Sequence, residues 1–197
     1  VDITPDDIYA HHDKTGELPK TSATNVGECL DFFKKFTENG KTVIHFTISS
    51  DMSSTYANAC LAAEELENVY VINTENLSTG GGLLVVAAAQ MRDDGLAAEE
   101  IVEKTKALVP CVDASFVIDS LEYLYKGGRC SALAMFGANL LRLKPCIQVK
   151  NGKMDVAKKY RGKYDEVLKQ YIREKVTDYS DIILDRVFIT HAGCDSK

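Results

Sequence analysis

The chain has 197 residues, of which 45% are hydrophobic, and a formal net charge of −6 at pH 7. This length is enough for one large domain or two small ones with a substantial core, and the acidic balance argues against generic nucleic-acid binding, which usually shows a basic patch. The longest apolar stretch, residues 83–89, is far too short to span a bilayer, so we expect no stable membrane insertion.

Six cysteines are scattered along the chain without any C-x-x-C pair. Such spacing favours small buried apolar side chains over a zinc site or a disulfide framework. We therefore expect a reduced, cytoplasmic protein without a metal site.

A loop and a helix are expected first along the chain. Residues 1–20 are polar and contain two prolines, which predicts a connecting loop with His11 and His12 exposed to solvent. A helix should follow, because Asn25 and Glu28 have the spacing of a capping box in front of an apolar stripe.

The most informative segment is an apolar run at residues 44–48 that ends in a cluster of hydroxyl side chains. A helical pattern begins directly afterwards, so the run is expected to be a buried parallel strand. Five of the seven residues in this hydroxyl loop (residues 49–55) are Ser or Thr, more than one helix cap requires. We expect Ser53, Ser54 and Thr55 to bind an anionic head group at the start of the helix, where open α/β sheets place their ligands.

A second pair of hydroxyls, Thr21-Ser22, precedes the first predicted helix. By itself this pair fits the N-terminal cap region of that helix. Combined with the hydroxyl loop, it would complete a clamp around the same head group.

The next strand and the glycines after it complete a βαβα pattern, which predicts a parallel sheet with covering helices. The strand is expected at residues 69–72, a fully buried helix at 83–91 and a further helix at 97–108. A triple glycine centred on Gly81 lacks the Lys-Ser/Thr ending of a phosphate loop. Gly81 therefore serves either close packing of a helix on the sheet or backbone approach to a ligand.

The pattern changes after residue 110, which predicts a domain boundary. Residues 1–110 would form part of a first α/β domain with the head-group site, and residues 111–197 a second α/β domain. The second part is predicted to contain a strand at 114–118, a short helix at 121–125, a helix at 131–141, a hairpin turn at Asn151-Gly152, a helix around 167–172 and a strand at 187–190.

Three further side chains each allow two interpretations. Arg129 follows two glycines, so it either presents its guanidinium to a carboxylate or phosphate or lies on the surface of a turn. His45 is expected in the core and His191 at a strand end, with phosphotransfer through either histidine as the alternative function. No set of nucleophile, base and orienting group is evident, so binding is favoured over catalysis.

Four segments form a specific ordered combination over most of the chain. They are Lys20-Thr21-Ser22, Ile48 to Tyr56, Gly127-Gly128-Arg129 with Ser131, and Leu143-Lys144-Pro145 followed by Gly152 and Lys159-x-Arg161-Gly162. This combination resembles the DegV family of bacterial fatty-acid-binding proteins.

The resemblance implies a two-domain α/β protein that binds a long-chain fatty acid between its domains, without another cofactor. Hydroxyls of Thr21 or Ser22 and of Ser53, Ser54 or Thr55 would hold the carboxylate. The protein would be a carrier rather than an enzyme, and it would present the carboxylate to a fatty-acid kinase that forms an acyl phosphate. A lipid-independent interaction module is the remaining alternative.

The acyl chain would need a long apolar slot, for which Leu83, Val86 and residues 132–141 are the expected lining. At the hydroxyl loop, Ser54 replaces a glycine of the family pattern. The opening Asp-Ser-Thr/Ser strand and the closing His-containing glycine-rich segment of the family are not found in this sequence. The resemblance therefore implies an internal portion of a longer protein.

Overall fold

A computed structural model of the protein describes residues 3–128, 143–177, 182–183 and 186–191. Its elements form one two-stranded and one three-stranded sheet with helices packed on them, which confirms the predicted α/β fold class. In chain order, the described elements are α1 (Pro5–Thr15), α2 (Val26–Thr37), β1 (Val43–Thr47), α3 (Thr55–Glu64), β2 (Val69–Asn73), α4 (Ser78–Asp93), α5 (Ala98–Leu108), a 3-10 turn (Val109–Cys111), β3 (Ala114–Val117), α6 (Glu122–Gly127), β4 (Lys144–Lys150), β5 (Lys153–Tyr160) and α7 (Tyr164–Thr177).

The first sheet is the predicted parallel pair. Its strands β1 and β2 run in register from Val43 opposite Val69 to Thr47 opposite Asn73. Helices α2 and α3 bury one face of this pair around the side chain of Phe33, which is fully inaccessible to solvent. Helices α4 and α5 contact β1 and β2 respectively, so the strands lie among the helices that the sequence pattern predicted.

The second sheet is antiparallel, in the order β3-β4-β5. Asn151 and Gly152 join β4 to β5 with positive φ angles of 49° and 77°, as the tight two-residue hairpin turn requires. Helix α7 packs Val167 against Cys146 and Tyr160 of the sheet. The predicted hairpin and the helix after it are therefore confirmed.

The predicted capping box at the start of α2 is also present. The side chain of Asn25 accepts a hydrogen bond from the Glu28 amide at 2.9 Å, and the Glu28 carboxylate accepts one from the Asn25 amide at 2.9 Å. Without these two hydrogen bonds, the backbone amides of Asn25 and Glu28 would lack partners at the helix start. The capping box therefore explains why the helix begins there.

The prediction of a loop over residues 1–20 is wrong, because residues 5–15 form α1. Thr4 and Asp7 make a capping box of their own, and Pro5 occupies the first helical turn, where a missing amide hydrogen costs nothing. His12 is buried, in contrast to the expected exposure. Its ring lies against Tyr123 of α6, and its Nε2 is 2.8 Å from the Lys126 Nζ atom.

Helix α4 begins earlier and is more exposed than predicted. It starts at Ser78, so the triple glycine forms its first turn, and Gly80 packs closely on Asn76 and Ala114. Val85 and Val86 are 43% and 48% exposed, because only one side of the helix meets the core.

The predicted strand at 187–190 is wrong, since these residues carry no strand pairing. A β-rich segment becomes a strand only when a neighbouring backbone supplies hydrogen bonds. The predicted helix at 131–141 lies outside the described residues. Among the helices that the structure describes, none is both long enough and apolar enough to cross a membrane.

Candidate functional site

The hydroxyl loop follows β1 and leads into α3, as the sequence pattern predicted. The Ser53 and Thr55 hydroxyls are 2.9 Å apart, and the Thr55 amide donates to the Ser53 oxygen at 3.2 Å. Two side-chain hydroxyls therefore converge at the amino end of α3, where backbone amides and the helix dipole favour an anion.

Ser54 occupies the N-terminal cap position of α3 but makes no side-chain capping bond. Its φ angle is −73°, a value that any residue adopts, so the backbone here does not require the glycine of the family pattern. The side chain is exposed. Ser54 therefore adds a hydroxyl beside the Ser53–Thr55 pair without straining the loop.

Two other hydroxyls of the loop have structural partners. Ser49 is fully buried and donates to the Gly152 carbonyl at 2.6 Å. Ser50 accepts a hydrogen bond from the Asn73 side chain at 2.9 Å. In the sequence, these two serines belong to the same cluster as the other hydroxyls of the loop. No local signal distinguishes serines that anchor the loop from serines that face a ligand.

The loop that carries Thr21 and Ser22 approaches the same end of α3. The Asn58 side chain donates to the Thr24 carbonyl at 2.8 Å, which ties this loop to α3. Thr21 and Ser22 are exposed, whereas Thr24 lines a cleft together with Thr55. Thr24 is therefore a candidate site residue that the sequence pattern did not indicate.

That cleft has a volume of about 420 Å³ and is bounded by α2, β1 and the start of α3. Its surface combines aromatic and aliphatic side chains with hydroxyls. The lining residues are Thr24, Glu28, Cys29, Phe32, Phe33, His45, Phe46, Thr47, Ile48 and Thr55. An apolar groove with hydroxyls at its rim is suited to an amphipathic ligand.

His45 lies in the wall of this cleft and is partly buried. Its ring meets Phe33 edge-on at 5.1 Å, and burial lowers the pKa of its imidazole. The ring is therefore neutral near pH 7, but it is only partly buried, in contrast to the expected core position.

The other predicted site residues lie elsewhere. A Cβ atom on Gly81 would be 3.3 Å from the Thr74 hydroxyl, so close packing accounts for this glycine. Leu83 and Val86 do not line the cleft beside Thr55. Arg129 and residues 132–141 lie outside the described residues. In the described ranges, no three His, Cys, Asp or Glu side chains are grouped to hold a metal ion.

A family model, "Uncharacterised protein, DegV family", matches residues 1–197. The chain belongs to the DegV family. A DegV domain-containing protein of Clostridium acetobutylicum is 35% identical over 164 residues, which cover 82% of this chain and 59% of that protein.

Solved DegV structures share the fold of this family member. A stearic-acid-binding protein from Eubacterium ventriosum is 31% identical, with a TM-score of 0.75, over 90% of this chain and 65% of its own. A fatty-acid-binding DegV protein from Thermus thermophilus is 28% identical, with a TM-score of 0.76, over 87% and 62%. This chain thus spans less than two thirds of these relatives.

Proposed function

We propose that this DegV family member binds a long-chain fatty acid and holds its carboxylate at the amino end of α3. The observation that carries the proposal is the convergence of the Ser53 and Thr55 hydroxyls there, beside an apolar cleft. Each hydrogen bond to a carboxylate contributes about 1.5–3 kcal/mol. The fatty-acid binding of the solved relatives supports the same ligand class.

Thr21 or Ser22 would close the clamp from the opposite side. Both residues are exposed in the loop that Asn58 ties to α3, so their hydroxyls are accessible to a ligand. The head group would then lie at the hydroxyl loop, which Ser49 joins to the second predicted domain.

The acyl chain gains stability from apolar burial, about 0.8 kcal/mol per CH₂ group. The cleft beside Thr55 offers Phe32, Phe33 and Ile48 for this purpose. The alternative lining is the one expected from the sequence, with Leu83, Val86 and residues 132–141. Substituting Phe32 by Ser separates the two linings, because it should weaken binding only if the chain occupies the cleft.

The protein would act as a cytoplasmic carrier and leave catalysis to a partner kinase. Neutral hydroxyl donors hold the carboxylate without the tight ion pair that an arginine would form, so its oxygen stays nucleophilic. In the kinase, that oxygen would attack the terminal phosphorus of a nucleoside triphosphate, the nucleoside diphosphate would leave, and an acyl phosphate would form.

Two adjacent serines provide a matched test of the head-group site. Ser53→Ala removes a hydroxyl that is bonded at the start of α3, whereas Ser54→Ala removes an exposed hydroxyl with no capping bond. We expect oleate affinity in the intact protein to fall about 10-fold for Ser53→Ala, because roughly 1.4 kcal/mol of hydrogen bonding is lost, and less than 2-fold for Ser54→Ala.

Native mass spectrometry and displacement of a fluorescent fatty acid would measure these affinities. Equal affinity for wild type, Ser53→Ala and Thr21→Val would contradict the hydroxyl clamp. The carrier role is tested separately by trapping acyl phosphate with hydroxylamine. We expect no trapped product from the protein, oleate and nucleoside triphosphate alone, and product once the kinase is added.

A further inference from the structure

The hydroxyl loop is attached to the second sheet through the buried side chain of Ser49. Its hydroxyl donates to the Gly152 carbonyl at 2.6 Å and accepts from the Asp51 amide at 3.2 Å. Ser49 is fully inaccessible to solvent, so both hydrogen bonds are shielded from water and losing one leaves a buried polar group without a partner.

The turn between β4 and β5 is shaped to receive this serine. Gly152 is buried at the hairpin tip with a φ angle of 77°. A Cβ atom there would lie 2.7 Å from the Ser49 hydroxyl and 3.0 Å from the Asp51 carboxylate. The glycine is therefore required twice, for the turn conformation and for close contact with the loop.

Ser49 also holds the part of the loop that leads to the head-group site. Its backbone carbonyl accepts hydrogen bonds from the Met52 amide at 3.0 Å and the Ser53 amide at 3.2 Å. The Met52 side chain packs against the core of the second sheet, which includes Ile147. One residue thus bonds the hairpin tip through its side chain and the Ser53 backbone through its main chain.

We propose that Ser49 is a positioning residue that couples fatty-acid binding to docking of the β4–β5 hairpin on the hydroxyl loop. The proposal rests on the fatty-acid site proposed above. When the hairpin is docked, Ser49 holds Ser53 where its hydroxyl meets the carboxylate. Because such coupling is reciprocal, a bound fatty acid stabilises the docked hairpin by the same free energy by which docking strengthens binding.

Ser50 provides a matched control in the same loop. Its hydroxyl also accepts a side-chain hydrogen bond, but the partner is Asn73 at the end of β2, which belongs to the first sheet. Ser50→Ala therefore disturbs the loop without touching the hairpin. Lys153→Ala is a second control, because its ion pair with Asp51 is solvent-exposed, at 3.5 Å, and such pairs contribute little.

The test measures oleate affinity and the amide hydrogen exchange of residues 144–160 in the intact protein, with and without oleate. In wild type, oleate should slow exchange in the hairpin. Ser49→Ala should weaken binding about 10-fold and abolish this slowing, whereas Ser50→Ala and Lys153→Ala should keep both within about 2-fold. Ser49→Cys replaces the hydroxyl by a larger and weaker donor, so its affinity should lie between those of wild type and Ser49→Ala.

Three results separate the possible failures. If Ser49→Ala only lowers the melting temperature and oleate still slows hairpin exchange, Ser49 is structural and the coupling is refuted. If wild type binds oleate but its hairpin exchange does not respond, the coupling is also refuted while the fatty-acid site stands. If wild type binds no oleate, the proposed function itself fails and the coupling fails with it.

Discussion

The two sheets of the molecule differ in how far their strands are buried. In β1, residues 43–46 are only partly buried, and within the described residues this strand pairs with β2 alone. In β4, four of the seven residues are buried, and both neighbouring strands supply hydrogen bonds. The second sheet thus has a well-buried central strand, whereas β1 is only partly buried and is followed by a loop with the exposed residues Ser50 and Ser54.

This difference indicates that the two sheets have different roles. A loop with exposed hydroxyls can receive a ligand, but contacts with another part of the molecule are needed to hold the loop in a single conformation. The hairpin of the second sheet supplies that support through Ser49 and Gly152.

The largest effect is expected in the centre of the second sheet. Ile147 in β4 is fully buried, so Ile147→Ala should lower the free energy of unfolding by about 2–5 kcal/mol. The matched change Ile44→Ala in the partly buried β1 should cost less than about half of that. Urea unfolding monitored by circular dichroism measures both, and equal losses would contradict the proposed difference in burial.

A smaller effect is expected at the helix that covers the first sheet. Asn25→Ala removes the side-chain oxygen that accepts from the Glu28 amide and keeps the backbone amide that donates to the Glu28 carboxylate. It should cost about 1 kcal/mol. Thr24→Ala is the control, because it removes the neighbouring side chain and keeps the cap. Thermal unfolding should separate the two variants, and an equal melting temperature would show that tertiary packing alone sets the start of α2.

A gain in stability is expected in α5, on the first sheet. Thr105 is fully buried, and within the described part of the chain its hydroxyl has no hydrogen-bond partner. Thr105→Val keeps the shape and removes the unpaired group, so it should stabilise the fold by about 1 kcal/mol. Thr105→Ser keeps the hydroxyl and should destabilise it instead. A loss of stability for the valine variant would mean that the hydroxyl is paired in solution.

The smallest effect is a pH dependence of the second sheet. Hydrogen bonds from Lys158 at 2.7 Å and Tyr160 at 2.5 Å lower the pKa of Glu174 from 4.5 to about 2. Its folded-state pKa lies below the unfolded value, so the stabilising contribution is present above pH 4.5 and is lost as the pH falls towards 2.

The glutamine in the Glu174→Gln variant cannot ionise. The free energy of unfolding of this variant should therefore change less with pH in this range. Urea midpoints between pH 2 and 6 would measure the effect. Parallel profiles for wild type and variant would show that other carboxyl groups cause the acid sensitivity.

Local signals explain which parts of the fold were predictable. The capping box of Asn25 with Glu28 and the turn at Asn151-Gly152 each act within four consecutive residues, so chain neighbours suffice to specify them. The hydroxyl loop was predictable for the same reason, because the apolar strand, the hydroxyls and the helix are contiguous.

Distant contacts explain the errors. His12 is buried because Tyr123 and Lys126, more than 100 positions away, close over it. Helix α4 begins at Ser78, before the triple glycine, and Gly80 packs on Ala114, which is remote in the chain. A local window of sequence does not contain these remote neighbours, so it predicts exposure in the first case and a later helix start in the second.

The α/β class, the family and the place of the hydroxyl cluster can be predicted from the sequence, because they depend on periodicity, caps and contiguous motifs. The purpose of each hydroxyl depends instead on tertiary contacts. Ser49 and Ser53 are alike as residues, but one is directed into the hairpin 103 positions away and the other towards the start of α3. That direction is set by packing between segments remote in the chain.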